Sequence, residues 1–134
     1  MIILEECIFC NVENKEKMLY EDELCFAMPD KYPSEYGHAL VISKEHYDNV
    51  LAAPDALVSH IFLVAKKLGS SMKKGLQADG IVIATNTGRE AGQVIFHLHV
   101  HVIPKYQTRR IGFMPHRELD AKTAAELKSL LKLQ

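Results

Sequence analysis

Residues 96–103 read Phe-His-Leu-His-Val-His-Val-Ile, a run in which imidazole and aliphatic side chains alternate. Successive side chains of an extended strand point to opposite faces, so His97, His99 and His101 share one face and Leu98, Val100 and Val102 the other. The run therefore demands a sheet with a core against its aliphatic side and a task for three imidazoles on the other. Three of the chain's seven histidines fall in this one strand, too dense a grouping for an incidental polar face. Neutral imidazole is both the commonest metal ligand and the commonest general acid or base. Two chemistries stay open at this point: a three-histidine metal site with a free position, or a phosphoryl-transfer site in which one ring attacks and its neighbours manage protons.

Composition narrows the partners. With 134 residues, 48% of them hydrophobic, the chain is expected to form one domain spanning residues 1–134. Sixteen Lys and Arg nearly balance seventeen Asp and Glu, and they are interspersed. That argues against nucleic acid, whose phosphate backbone calls for a clustered basic surface; the pairs Lys66-Lys67, Lys73-Lys74 and Arg109-Arg110 read as solvated faces. Met1-Ile2-Ile3-Leu4 is followed at once by Glu5-Glu6, without the charged and apolar regions of a signal peptide. No apolar run approaches the roughly 20 residues that cross a bilayer, so neither membrane nor export is expected and the location is read as cytoplasmic.

The three cysteines do not make a disulfide framework. Cys7-Ile8-Phe9-Cys10 is a C-x-x-C, open to two readings: a redox dithiol, which normally follows a strand in a βαβ unit, or half of a zinc site that needs two further ligands. Cys25, between Leu24 and Phe26, reads as a buried thiol.

Along the chain, the runs 18–20 and 24–28 flank Glu21-Asp22-Glu23 as a hairpin that Pro29-Asp30 ends, and 31–37 reads as a loop. Residues 38–43 form a strand. From Asp55 to Leu76 the apolar residues Leu57, Ile61, Val64, Ala65, Leu68 and Met72 recur at spacings of three and four, the mark of an amphipathic helix with its lysines late, where the dipole favours them. Asp79-Gly80 turns into a strand over 81–85, the loop 86–95 follows, then the histidine strand, then a helix over 118–131 with Leu119, Leu127, Leu130 and Leu131 as its stripe. His60 and His116 fit no constellation. The order is α+β, with a mostly antiparallel sheet of about five strands, one long helix and a C-terminal helix.

The loop 86–95 enters the histidine strand. Gly88 and Gly92 let backbone N–H groups approach an anion closely, and Asn86 and Gln93 add side-chain donors. Asn86, Gly92 and Gln93, the triad run 97–103, the upstream Gly37-His38-Ala39-Leu40-Val41-Ile42-Ser43-Lys44-Glu45-His46 and Cys7-Ile8-Phe9-Cys10 together resemble the histidine-triad family of nucleotide hydrolases and transferases. The resemblance covers about residues 7–105 and leaves 106–134 as a C-terminal extension.

The resemblance implies a division of labour. His99 matches the nucleophile that attacks the α-phosphorus of a nucleotide; it must be neutral, with Nδ1–H tied to the backbone carbonyl of His97. His101 and His38 match the supporting hydrogen-bond network. Asn86, Gly92, Gln93 and Val94 match the phosphate-binding loop, Asp30 the acceptor of the ribose hydroxyls, and Ile8, Phe9, Val12, Met28 and Leu40 the apolar slot for the base. Cys7, Cys10, His46 and His97 match the ligands of a structural Zn2+ in metal-bearing members, a closed set of two thiolates and two imidazoles. A purine nucleotide substrate and a homodimer whose sheets join near the long helix are implied too. Two departures stand out: Val94 occupies the place of a Ser or Thr that donates to phosphate, and Lys31 the place of an apolar residue beside the base. The expected function is hydrolysis at the α-phosphate of a nucleoside phosphoramidate or related adenylate. Dinucleoside polyphosphate hydrolysis or nucleotidyl transfer, a non-catalytic nucleotide- or partner-binding module, and a hydrolase with a catalytic metal on the triad are the competing readings.

Overall fold

A computed structural model describes residues 2–108, 110 and 112–133; Arg109 and Gln134, the ends of the longer C-terminal segment, lie outside the described residues. Five strands form one antiparallel sheet: β1 (Tyr20–Glu21), β2 (Cys25–Pro29), β3 (Ala39–Ser43), β4 (Gly80–Ala84) and β5 (His99–Lys105), in the spatial order β1-β2-β3-β5-β4. Helix α1 (Asp55–Gly75) joins β3 to β4, and α2 (Ala121–Leu130) follows β5. The α+β arrangement expected from the sequence is the one observed.

The two faces of the sheet differ in kind. On one, Cys25, Ala27, Val41, Val100 and Val102 meet Ile61, Val64, Leu68 and Met72 of α1 in the main core. Full burial of each large aliphatic side chain contributes about 1.5–3 kcal/mol, which makes this layer the principal source of stability. On the other face, Phe26, Leu40 and Ile42 form a smaller cluster with Phe9, Val12, Met18 and Met28. In register with them, Leu40 stands opposite His101 and Ile42 opposite His99. The pleat thus puts the catalytic candidates beside a ready apolar surface.

Several boundaries shift by a residue or two from the sequence reading, and three of the shifts have a clear tertiary reason. The hairpin strand runs through Pro29, which pairs with Ala39. The histidine strand begins at His99, because the Leu98 N–H leaves the ladder to bond the Tyr47 carbonyl at 2.7 Å. The last helix begins at Ala121, where the Asp120 carboxylate caps it by accepting from the Thr123 N–H at 2.7 Å. Leu119 is therefore outside the helix; the stripe that enters the main core is Leu127 and Leu131, while Leu130 stays exposed. The extension is fastened to α1 where the Lys132 N–H donates to Ser71 Oγ at 2.9 Å.

Candidate active site and metal cluster

Hydrogen bonds fix which nitrogen each histidine presents. His99 Nδ1 lies 2.6 Å from the His97 carbonyl, which can only accept, so Nδ1 carries the proton and Nε2 is left with a free lone pair. The Ser34 N–H donates to His38 Nδ1 at 3.0 Å, which puts the His38 proton on Nε2. That Nε2 faces His101 Nδ1 at 3.0 Å, with the Asp30 carboxylate at 3.5 Å. His101 Nδ1 is then the acceptor, and its Nε2–H becomes a donor. Burial pulls the His38 imidazole down to about 4, against the raising effect of Asp30, so His38 is neutral at physiological pH. Burial and the neighbouring His99 also hold His101 below the usual imidazole range. The outcome is a His38–His101 relay that ends on one ring donor, beside the His99 ring that the His97 carbonyl orients separately.

His97 is used differently. It is 0% exposed, and its Nε2 lies 2.6 Å from the Ser43 carbonyl, so its Nδ1 is the free nitrogen. That Nδ1 lies 3.2 Å from Cys7 Sγ, 3.5 Å from Cys10 Sγ and 3.1 Å from His46 Nδ1. His46 in turn directs Nε2 to the Asp48 carboxylate at 3.1 Å. All four candidate ligand atoms fall within 4.8 Å of one another. Tetrahedral zinc with Zn–N about 2.0–2.1 Å and Zn–S about 2.3 Å separates its ligand atoms by about 3.3–3.7 Å, so the cluster fits a zinc ion after small adjustments. Each imidazole also has the oxygen acceptor behind it that orients a metal-binding histidine. Burial pushes the Cys10 thiol up from its ordinary value, and a cation's charge would draw both sulfurs into the thiolate form.

A cleft of about 760 Å³ opens over His99 and His101. Phe9, Val12, Met28 and Leu40 line one end, with the Phe9 ring edge-on to His99 at 5.2 Å. Ile8 and Val94 are 61% and 85% exposed at its mouth. Asp30 lies on the wall, its Oδ1 accepting from the Tyr32 N–H at 2.9 Å. The loop after β4 closes the other end, where Gly88 and Gly92 take positive φ of 91° and 93°, a conformation that glycine adopts without strain.

Within that loop the expected side-chain donors are turned inward. Asn86 Nδ2 donates to the Ala91 carbonyl at 2.7 Å. Gln93 is 4% exposed; its Nε2 donates to the carbonyls of Asp48 at 2.6 Å and Ile95 at 3.1 Å, and its Oε1 accepts from the Gly88 N–H at 2.8 Å. In this conformation Gln93 shapes the loop instead of offering its amide to a phosphate. The His101 Nε2–H is left as the ring donor beside the nucleophile.

Several contributors carry no signal that sequence reasoning could use. Ser34, Ser43 and Asp48 orient histidines; Ser34 and Ser43 do so through backbone groups, with their hydroxyls also 3.2 Å from His38 Nδ1 and His97 Nε2 respectively. Thr85 Oγ1 donates to the His99 carbonyl at 2.7 Å and secures the start of β5. Leu119 and Glu118, from beyond the core motifs, reach the cleft wall, where the Leu119 N–H bonds the Lys31 carbonyl at 2.8 Å. His60, which fits no constellation in the sequence, lies 2.6 Å from Asp22, which also accepts from the Tyr20 hydroxyl at 2.7 Å. His116 bonds through its backbone, to the Pro33 carbonyl at 2.7 Å.

Comparison with known proteins shows the family. Residues 11–108 match the family described as the HIT domain. An adenylylsulfatase of Arabidopsis thaliana is 34% identical over 103 residues, 75% of this chain and 52% of the plant protein. A hypothetical histidine triad nucleotide-binding protein from Sulfolobus tokodaii superposes with a TM-score of 0.86 at 39% identity, covering 92% of this chain and 88% of the other. A zinc-bound histidine triad family protein from Mycobacterium smegmatis superposes with a TM-score of 0.75 at 31% identity, covering 93% and 92%.

Proposed function

The chain belongs to the HIT domain family, and from that premise we propose that it hydrolyses purine nucleotides at the α-phosphate through a nucleotidyl-His99 intermediate. The observation that carries this reading is the 2.6 Å bond from His99 Nδ1–H to the His97 carbonyl, which leaves Nε2 unprotonated beside the cleft. In the first step Nε2 attacks the α-phosphorus, the bond to the leaving group breaks, and the leaving group takes a proton from solvent. In the second, water attacks the same phosphorus, the P–Nε2 bond breaks, the water's proton returns to solvent and the nucleoside monophosphate leaves. Splitting one displacement in two is the gain of covalent catalysis.

The surrounding groups support both steps. His101 Nε2–H would donate to a phosphate oxygen as negative charge gathers there, and His38 holds His101 in that tautomer. The Gly92 and Gln93 N–H groups donate within the loop, to the Arg89 and Gly88 carbonyls at 3.0 Å each, so in the turn that Asn86 and Gln93 brace it is the Val94 N–H that would add a backbone donor to the phosphate cradle. Asp30 would take the ribose hydroxyls, and Ile8, Phe9, Val12, Met28 and Leu40 would receive the base. Cys7, Cys10, His46 and His97 would hold a structural zinc that braces the N-terminal arm against the strand. A homodimer is supported by β4, which lies at the edge of the sheet with Val82 and Ile83 exposed; light scattering of the purified protein tests it.

Intact-protein mass spectrometry after brief mixing with an adenosine phosphoramidate, together with an assay for released AMP, tests the function. The expected result is an adenylyl adduct or AMP with the wild type and neither with His99→Ala. Equal AMP from both proteins excludes His99 as the nucleophile.

A further inference from the structure

We infer that Asp22, Cys25 and His60 form a second metal site, which takes Zn2+ or a cation of similar softness on one carboxylate, one thiolate and one imidazole and ties the β1–β2 hairpin to α1. The site shares no residue with the histidine cleft or with the cluster of Cys7, Cys10, His46 and His97. In sequence Cys25 reads as a buried thiol and His60 as a histidine without a constellation, yet the fold brings both to one carboxylate. The ligand atoms of the three residues lie within 4.8 Å of one another. The remaining mixed group, Asp30 with His38 and His101, is already committed: the Ser34 N–H occupies His38 Nδ1, so His38 Nε2 has to keep its proton.

The hairpin turn sets the carboxylate in place. Asp22 Oδ1 accepts from the Leu24 and Cys25 N–H groups at 2.8 and 2.9 Å, which fixes the plane of the group. Oδ2 then faces three donors: the Tyr20 hydroxyl at 2.7 Å, His60 Nε2 at 2.6 Å and Cys25 Sγ at 3.8 Å. Imidazole and thiol become ligands on giving up the protons they direct at Oδ2, while Tyr20 supplies the hydrogen bond that orients a ligating carboxylate. The sulfur points to a ligand independently. Cys25 is 0% exposed, and a thiol is a weak donor that gains little from an oxygen 3.8 Å away, so a buried sulfur is aimed at the meeting point of oxygen and nitrogen with scant hydrogen bonding to hold it there. Tetrahedral zinc asks for separations of about 3.3–3.7 Å; the sulfur is already near that distance, and the Asp22–His60 pair opens by about 0.7 Å on a small rotation of the His60 ring. The His60 and Asp22 side chains are 33% and 22% exposed, which leaves the fourth position to water. On binding, the thiol proton goes to solvent and the imidazole proton moves from Nε2 to Nδ1, so carboxylate and thiolate balance the dication in a half-buried place. Mg2+ and Ca2+, which call for oxygen sets, are not matched by sulfur and imidazole. Three protein ligands against four make this the weaker site, filled from added zinc.

Equilibrium dialysis of the full chain against micromolar free Zn2+, with metal counted by elemental analysis, tests this in the wild type, His60→Ala, Tyr20→Phe and the double variant Cys7→Ser with Cys10→Ser. The wild type should take up an equivalent that His60→Ala binds more weakly on the order of 100-fold or more, and Tyr20→Phe more weakly by about 10-fold. The wild-type Tm should rise as that equivalent binds, and the His60→Ala Tm should not follow it. In the double variant Cys25 is the last of the chain's three cysteines, so a near-ultraviolet thiolate-to-metal absorption on adding Co2+ reports its ligation, and His60→Ala in that background should remove the band. Zinc uptake equal in the wild type and His60→Ala, as a hydrogen-bonded tie alone would give, overturns the inference. So does a folded double variant that binds no Co2+ or binds it without that absorption. An equivalent lost between the wild type and the double variant reports separately on the Cys7–Cys10 cluster.

Discussion

His97 and His99 are two residues apart in one strand-forming run, yet they present opposite nitrogens. His97 gives Nε2–H to the Ser43 carbonyl and turns Nδ1 toward two cysteines and His46. His99 gives Nδ1–H to the His97 carbonyl and turns Nε2 toward the cleft. Under the proposed function, identical side chains would serve as a ligand and as a nucleophile because different backbone carbonyls claim their protons. One residue links the two: the ring of His97 belongs to the cluster while its carbonyl orients the His99 ring. The fixed tautomer, more than the count of histidines, is what separates structural from chemical use.

Breaking the nucleophilic half should have the largest effect. We expect His99→Ala to lower kcat/KM for an adenosine phosphoramidate on the order of 10,000-fold or more, with zinc content by elemental analysis unchanged. Breaking the other half should invert that outcome: Cys7→Ser with Cys10→Ser is expected to lose the zinc and lower the Tm by roughly 10 °C while some turnover persists. A variant that keeps both its zinc and its Tm would separate the cluster from metal altogether. Asp48→Ala sharpens the comparison at its outer edge, since removing the acceptor behind His46 should weaken zinc binding by about 10- to 100-fold in a chelator competition.

The relay beside the nucleophile adds a pH signature. Burial holds His38 at about 4 in the folded protein, below the ordinary imidazole value near 6.5, so the unfolded chain binds the proton more readily between these limits. Its contribution to stability is present above about pH 6.5 and is lost as the pH falls toward 4. The urea midpoint should drop on acidification across that window, and His38→Gln should narrow the drop; an unchanged gap between pH 7.5 and 5 would remove His38 from the account. The smallest effect lies away from both histidine sites. Against the burial that pushes it up, the Tyr20 hydroxyl and His60 hold the Asp22 carboxyl well below the usual carboxylate range. His60→Ala should cost about 1 kcal/mol in urea unfolding and leave phosphoramidate turnover unaltered.

Periodic parts of the fold are legible in the amino-acid sequence itself. Alternation marks β5 and its two faces, and the three-four spacing places the long helix at 55–76 against the observed Asp55–Gly75. Hydrophobic period reports burial of a face, and these elements are defined by burial. What the pattern cannot report is where backbone groups find partners. The strand starts at His99 and not at Phe96 because Tyr47, some fifty positions earlier, supplies a carbonyl to Leu98. Gln93 looks like a phosphate donor in sequence, but the Asp48 and Ile95 carbonyls take its N–H groups. Asp22 and His60 form a tie across thirty-eight positions that neither residue's surroundings announce. Leu119 has the apolar character of a helix stripe, and only the Asp120 cap puts it outside the helix and onto the cleft wall.

The family match ends at residue 108, and Leu119 with its bond to the Lys31 carbonyl lies beyond it. One wall of the cleft is thus supplied by a segment that donates no hydrogen bond to His38, His99 or His101 among the described residues. That segment is tied to the loop before β3 through the His116 N–H on the Pro33 carbonyl at 2.7 Å, next to the Ser34 whose N–H fixes His38, so a change in the C-terminal segment can reach both the cleft wall and the imidazole behind it.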